Sequence, residues 1–127
     1  MNVLIVDTST WIDYFAGAEV PELDLALREG RVYLPAVVAA ELASGKMPKR
    51  KRKALYELLE ELPLCDQSLP HWFRVGELRE RLVRNGISIS TPDAHIAQCA
   101  IDLNGYLKSE DAIFSKIVQF APLRLAD

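Results

Sequence analysis

Between Val3 and Val6 the chain reads VLIV, an unbroken apolar run with Asn2 before it and Asp7 after it. A strand with one wet face alternates apolar and polar residues. An unbroken run belongs to a strand buried on both faces, as in a parallel sheet covered by helices. Parallel neighbours cannot be joined by a hairpin and need a crossover, usually a helix. The run therefore requires short apolar strands alternating with helices.

The rest of the chain supplies them. TSTWIDYFAG after Asp7 starts with cap residues, spaces Trp11, Ile12 and Phe15 as on a helix and stops at Gly17. PELDLALREG repeats the pattern. VYLP (Val32 to Pro35) reads as a second strand, and AVVAAELASG as a helix ended by Gly45. A basic run then leads into the amphipathic segment KALYELLEEL, which Pro63 ends. LPLCDQ (Leu62 to Gln67) is a third strand candidate. PHWFRVGELRERLVRNG reads as a long helix with Trp72, Val75, Leu78 and Leu82 along one face. TPDAHIAQCAIDLNG is a further helix, with Thr91 as its cap, Pro92 at its first position and closure at Asn104 and Gly105. YLKS, AIFSKIVQF and LRL complete the pattern as strand, helix and strand. The expected fold is α/β, a central parallel sheet flanked by helices in three layers. At 127 residues the chain suits one domain, spanning 1–127.

Several classes are disfavoured. The N-terminal run is far too short for a membrane span and lacks the basic start of a secretory signal. Cys65 and Cys99 form neither a disulfide framework nor a metal-ligand spacing, and two buried thiols suit a reducing cytoplasm. His71 and His95 stand far apart, so no zinc site is expected and both read as ordinary residues.

Charge is unevenly placed. KMPKRKRK (Lys46 to Lys53) holds six of the fifteen basic residues and no acid, leaving nine basic residues against eighteen acidic ones elsewhere, a net of −9. The run Lys49, Arg50, Lys51 and Arg52 fits either a phosphate-tracking patch or a solvated helix start.

In a parallel α/β sheet, function gathers past the C-terminal ends of the strands. Asp7 lies just past the first strand, Asp111 just past YLKS, and Asp93 at the head of a helix that should begin at that edge. Glu41 sits among small apolar residues in VVAAELA, where a carboxylate is costly unless something pairs with it. Taken singly, each Asp also reads as a helix cap or dipole partner. If the four converge, their repulsion demands a cation. Oxygen ligands without His or Cys select Mg²⁺ or Mn²⁺, the usual metals of phosphodiester hydrolysis.

VLIVDTSTWIDYF, LPAVVAAELASG, TPDAHIAQCA and YLKSEDAIFSKI together resemble PIN-domain proteins of the VapC toxin type, in order and over nearly the whole chain. The resemblance matches Asp7 with Thr8 and Ser9, Glu41, Asp93, and a Ser109, Asp111, Phe114 pattern to the family's acidic motifs. It implies a metal-dependent endoribonuclease whose Asp7 and Asp93 hold Mg²⁺ (or Mn²⁺). Glu41 and Asp111 would complete the site, with Ser9 and Ser109 in support. It also implies an RNA substrate, a small antitoxin partner and a homodimer. Two departures are Ser109 where the family usually has Thr, and Glu110 where a basic residue is common. Trp72 and Phe73 fit either a dimer surface or core packing.

Other readings are a receiver-like signalling domain, with Lys108 and Asp66 as its marks, and a PIN fold that binds without cutting. The receiver lacks a second acid beside Asp7, and a haloacid-dehalogenase phosphatase would need Asp where Ser9 stands.

Overall fold

The computed structural model describes residues 2–127. In chain order it contains β1 (Leu4–Val6), α1 (Thr8–Phe15), α2 (Pro21–Arg28), α3 (Ala36–Ala43), α4 (Lys49–Glu60), α5 (Leu69–Arg84), α6 (Thr91–Asp102), β2 (Tyr106–Lys108) and α7 (Ala112–Ile117).

β1 and β2 pair in parallel, Leu4 opposite Tyr106, Ile5 opposite Leu107 and Val6 opposite Lys108. Parallel bridges extend the sheet from Leu4 to Val32, from Leu34 to Leu64 and from Leu107 to Leu125. All five expected strand segments thus join one parallel sheet. Numbered along the chain, their order across it is 3-2-1-4-5. Only β1 and β2 reach strand length. The segment at Val32–Pro35 ends when Pro35 becomes the N-cap of α3. The one at Leu64 follows Pro63, which has no N–H to give the ladder. Leu4, Ile5 and Val6 are all buried although successive side chains point to opposite faces, so both faces are covered at β1.

α6 is the central helix. Ala94 to Ala100 are buried without a break, and the helix packs on α5, α3, β1 and β2. A helix buried all round suits small residues, and its polar members, His95 and Gln98, must find partners inside. The turn from α6 to β2 depends on Gly105. A Cβ there would lie 2.6 Å from the Val3 carbonyl oxygen, where the Tyr106 N–H bonds the same carbonyl at 2.9 Å.

Two boundaries differ from expectation. Ser90, not Thr91, caps α6, its hydroxyl accepting from the Asp93 N–H at 3.2 Å. The basic run does not precede α4 but begins it, with Pro48 as N-cap and Lys49 to Lys53 in its first turns. Within that run Arg52 has a structural task. Its guanidinium donates to the carbonyls of Ala43 at 2.7 Å and Gly45 at 3.0 Å, capping the end of α3. Among the described residues no helix is long and apolar enough to cross a membrane.

Candidate active site

The sheet order reverses at the seam between β1 and β2, because the chain leaves β1 toward one edge and returns to build the other. Ligands in such sheets bind past the C-terminal ends of the strands at that reversal. Asp7 and Ser109 are the first residues beyond those two ends.

Asp7 is 5 % exposed and caps α1. Its Oδ1 accepts from the Thr10 N–H at 3.0 Å and its Oδ2 from the Ser109 hydroxyl at 2.5 Å. The same Ser109 Oγ accepts from the Asp111 N–H at 3.0 Å. Asp111 in turn caps α7, accepting from the Ile113 N–H at 3.0 Å. One hydroxyl thus ties two acids together, and Ser109 keeps the group that a Thr would bring. Glu41 is exposed on α3 despite its apolar neighbours, and it accepts from the Thr8 hydroxyl at 2.6 Å. Sequence reasoning gave Thr8 no such role. A hydroxyl directly after a candidate acid was the available signal.

Asp93, half-buried in the first turn of α6, closes the group. Burial pushes its carboxyl above the usual carboxylate range. The Ser90 hydroxyl opposes this, while the negative charges of Asp111, Glu41 and Asp7 add to it. These charges put Asp7, Glu41 and Asp111 in the neighbourhood of Asp93, although among the described residues no three of the four bring ligand oxygens within 4.8 Å of one another. Among the described residues no Lys, Arg or His pairs with any of the four. The donor set is carboxylate and hydroxyl oxygen, which fits a hard divalent cation.

Other candidates fall elsewhere. Ser9 is exposed in the first turn of α1 and hydrogen-bonds none of the acids. Lys108 turns away from them to Glu22 at 3.5 Å and the Asp127 carbonyl at 2.6 Å. Asp66 is occupied by the N–H and hydroxyl of Ser68. A receiver sheet runs 2-1-3-4-5, so order and residues together set that reading aside. Lys49, Arg50 and Lys51 are exposed, and among the described residues none of them pairs with a carboxylate. Trp72 and Phe73 separate: Trp72 stacks on His95 at 4.5 Å, whereas Phe73 is 60 % exposed.

His71 and His95 do not behave as two isolated residues. Both are fully buried, and His71 Nε2 lies 2.8 Å from His95 Nδ1 across the α5–α6 contact. His71 Nδ1 lies 2.8 Å from Asp102 Oδ2. Burial pushes the Asp102 carboxyl up, but hydrogen bonds from Arg74, His71 and Gln98 outweigh it and hold the group below its ordinary value. Burial, then the neighbouring His71, lowers His95 to about 4, so its imidazole is neutral near pH 7. Cys99 stands 3.8 Å from His95 Nε2. The neighbouring Cys65, then burial, raises its thiol and keeps it protonated.

Comparison with known proteins agrees with this architecture. A structure of DNA-bound VapBC from Salmonella typhimurium contains a chain 20 % identical to this one. The match covers 100 % of this chain and 98 % of that one, with a TM-score of 0.81. VapBC2 from Rickettsia felis, bound to a promoter DNA fragment, matches at 23 % identity, covering 98 % and 97 %, with a TM-score of 0.73. A toxin–antitoxin complex from Klebsiella pneumoniae matches at 20 % identity, covering 86 % and 87 %, with a TM-score of 0.62. No curated protein sequence matches the chain. Residues 4–119 match the sequence profile of the PIN domain, a span that contains all four acids and both central strands. The chain belongs to the PIN domain family.

Proposed function

We propose that the protein is a metal-dependent endoribonuclease and the toxin of a toxin–antitoxin pair. In this reading Asp7 and Asp93 hold Mg²⁺, which Mn²⁺ can replace, and Glu41 and Asp111 complete the site through water or a second ion. The observation that carries the proposal is that Asp93 feels the negative charges of Asp7, Glu41 and Asp111 while, among the described residues, no protein cation pairs with any of the four, at the seam where the sheet order reverses. The cation bound there supplies Lewis-acid activation of water and neutralises charge on the phosphate.

The protein's part is to hold oxygen ligands still. Asp7 is fixed by the Thr10 N–H on one oxygen and the Ser109 hydroxyl on the other. Thr8 orients Glu41, and Ser109 sets the distance between Asp7 and the start of α7. RNA is drawn in by Lys49, Arg50 and Lys51. Three cations at the positive end of a helix oppose its dipole, and a phosphate backbone relieves that cost. Arg52, which docks α4 against the end of α3, positions this patch beside the helix that carries Glu41.

Fold likeness to chains from VapBC and toxin–antitoxin complexes supports a small protein antitoxin as partner. Leu69, Phe73 and Val83, exposed along α5, supply the apolar face of a homodimer, and the cytoplasm is the compartment that suits two free thiols. The test is cleavage of RNA by purified protein. Cutting should require Mg²⁺ or Mn²⁺, stop with EDTA and vanish in Asp7→Asn and Asp93→Asn. Cutting unaffected by chelation overturns the mechanism. Binding without cutting under all metal conditions would make the chain a silent PIN fold.

A further inference from the structure

The acids at the sheet edge are hard oxygen donors. A second, chemically different cluster lies in the core between α5 and α6. His71, His95 and Cys99 each offer one ligand atom, and these atoms all lie within 4.8 Å of one another. From this geometry we infer that His71, His95 and Cys99 form a buried binding site for a borderline-soft divalent cation, Zn²⁺ above all. The inference goes beyond the nuclease reading and does not rest on it.

Three observations carry it. The first is spacing. Tetrahedral zinc, with bonds of about 2.0–2.1 Å to nitrogen and about 2.3 Å to sulfur, separates two nitrogens by about 3.3 Å and nitrogen from sulfur by about 3.6 Å. The two imidazole nitrogens are 2.8 Å apart, and Cys99 Sγ is 3.9 Å from His95 Nδ1. Adjustments of about 0.5 Å or less bring both pairs to ligand spacing. The second is the support behind the ligands. Asp102 takes the Nδ1–H of His71, which leaves Nε2 as a lone pair aimed at His95. Arg74 and Gln98 hold that carboxylate in turn. A carboxylate behind a ligating histidine fixes its tautomer and raises its basicity. The third is rigidity, since Trp72 stacks on the His95 ring with planes 11° apart.

Without metal the three groups are satisfied as a hydrogen-bonded relay, with His95 Nδ1–H donating to His71 Nε2. On binding, the Cys99 thiol gives its proton to solvent and the His95 proton moves from Nδ1 to Nε2. One proton leaves per cation bound. The ion joins α5 to α6 at a residue two positions beyond Asp93, so it clamps the helix that presents that acid.

The test uses the full chain carrying Asp7→Asn and Asp93→Asn, which disables the acidic cluster as a competing site, in excess Mg²⁺. Co²⁺ alone is the probe, followed by Zn²⁺ competition. The expected result is one Co²⁺ per chain with a thiolate-to-cobalt charge-transfer band and tetrahedral visible bands, displaced by one equivalent of Zn²⁺. Cys99→Ser, its fold checked by near-UV circular dichroism, should abolish the charge-transfer band and weaken Zn²⁺ binding at least tenfold. His95→Gln should lose binding as well. Absence of the band in the Cys99-containing protein, or Zn²⁺ bound equally well by Cys99→Ser, overturns the proposal.

Discussion

Ser109→Ala removes a single oxygen, and its effect follows from the two bonds that oxygen makes. The hydroxyl donates to Oδ2 of Asp7, a carboxylate only 5 % exposed, and accepts from the Asp111 N–H. A hydrogen bond to a charged acceptor contributes about 1.5–3 kcal/mol, because water cannot replace the donor at a buried oxygen. The Asp111 N–H lies at an exposed loop, where water can take over, so its loss adds little. The alanine variant should therefore lose about 2 kcal/mol of metal-free stability, or about 6–10 °C in melting temperature for a domain of this size. Ser109→Thr keeps the hydroxyl and should stay within about 0.5 kcal/mol of the parent. Urea unfolding in EDTA measures both. In the cleavage assay the alanine variant should need about 10–100-fold more metal, the usual cost of losing a group that orients a ligand. If Ser109→Ala unfolds at the same urea concentration as Ser109→Thr, the hydroxyl does not hold Asp7 and the reasoning fails.

Asp93→Asn should make the metal-free protein equally or more stable at pH 7. Burial and three negative neighbours raise the Asp93 carboxyl, so its ionised form weakens the fold, against about 0.3–1 kcal/mol of dipole stabilisation lost. A raised carboxyl stabilises the fold only when protonated, so the variant's advantage, read by thermal melts across pH, should shrink as pH falls and vanish below 3.8. Lys49, Arg50 and Lys51 changed together to Gln should weaken RNA binding and flatten its salt dependence by roughly 2, at about 0.7 per contact on a single strand, with maximal rate kept. Filter binding across salt concentrations decides it, and an unchanged slope would leave the run a solvated helix start. Arg52→Ala, by contrast, should cost about 1–2 kcal/mol in urea unfolding, because it uncaps α3. Phe73→Glu on the exposed face of α5 should shift sedimentation from dimer to monomer; an unchanged dimer places the interface elsewhere.

Local patterns carried most of the fold. VLIV announced a strand buried on both faces because apolar continuity is a local property. The start of α2 at Pro21 follows from a proline at the first helical position, whereas α5 begins at Leu69 behind its Ser68 cap, one residue ahead of the expected PHWF start. The positions of three acids were legible for the same reason: Asp7 and Asp111 follow apolar strands, and Asp93 heads a helix. What pairs across the sheet is not local. The bridge from Leu34 to Leu64 and the order 3-2-1-4-5 depend on which helix packs where. The cap of α6 went to Ser90 rather than Thr91 because a three-residue offset, hydroxyl to Asp93 N–H, decides it, and both residues carry a hydroxyl. The 24-residue separation of His71 and His95 hid their contact, which exists only because α5 lies along α6.

In the proposed function Asp7, Glu41, Asp93 and Asp111 form one divalent cation centre, and Mn²⁺ titration followed by NMR reads where such an ion sits. Paramagnetic broadening falls off steeply with distance, so it maps the ion without any assay of activity. Substoichiometric Mn²⁺ should first broaden the amides of Thr8, Asp93, Ala94, Asp111 and Ala112, and excess Mg²⁺ should restore them. Asp7→Asn should remove the effect. Broadening that begins instead around His71, His95 and Cys99, or spreads evenly over the exposed acids, would contradict that placement.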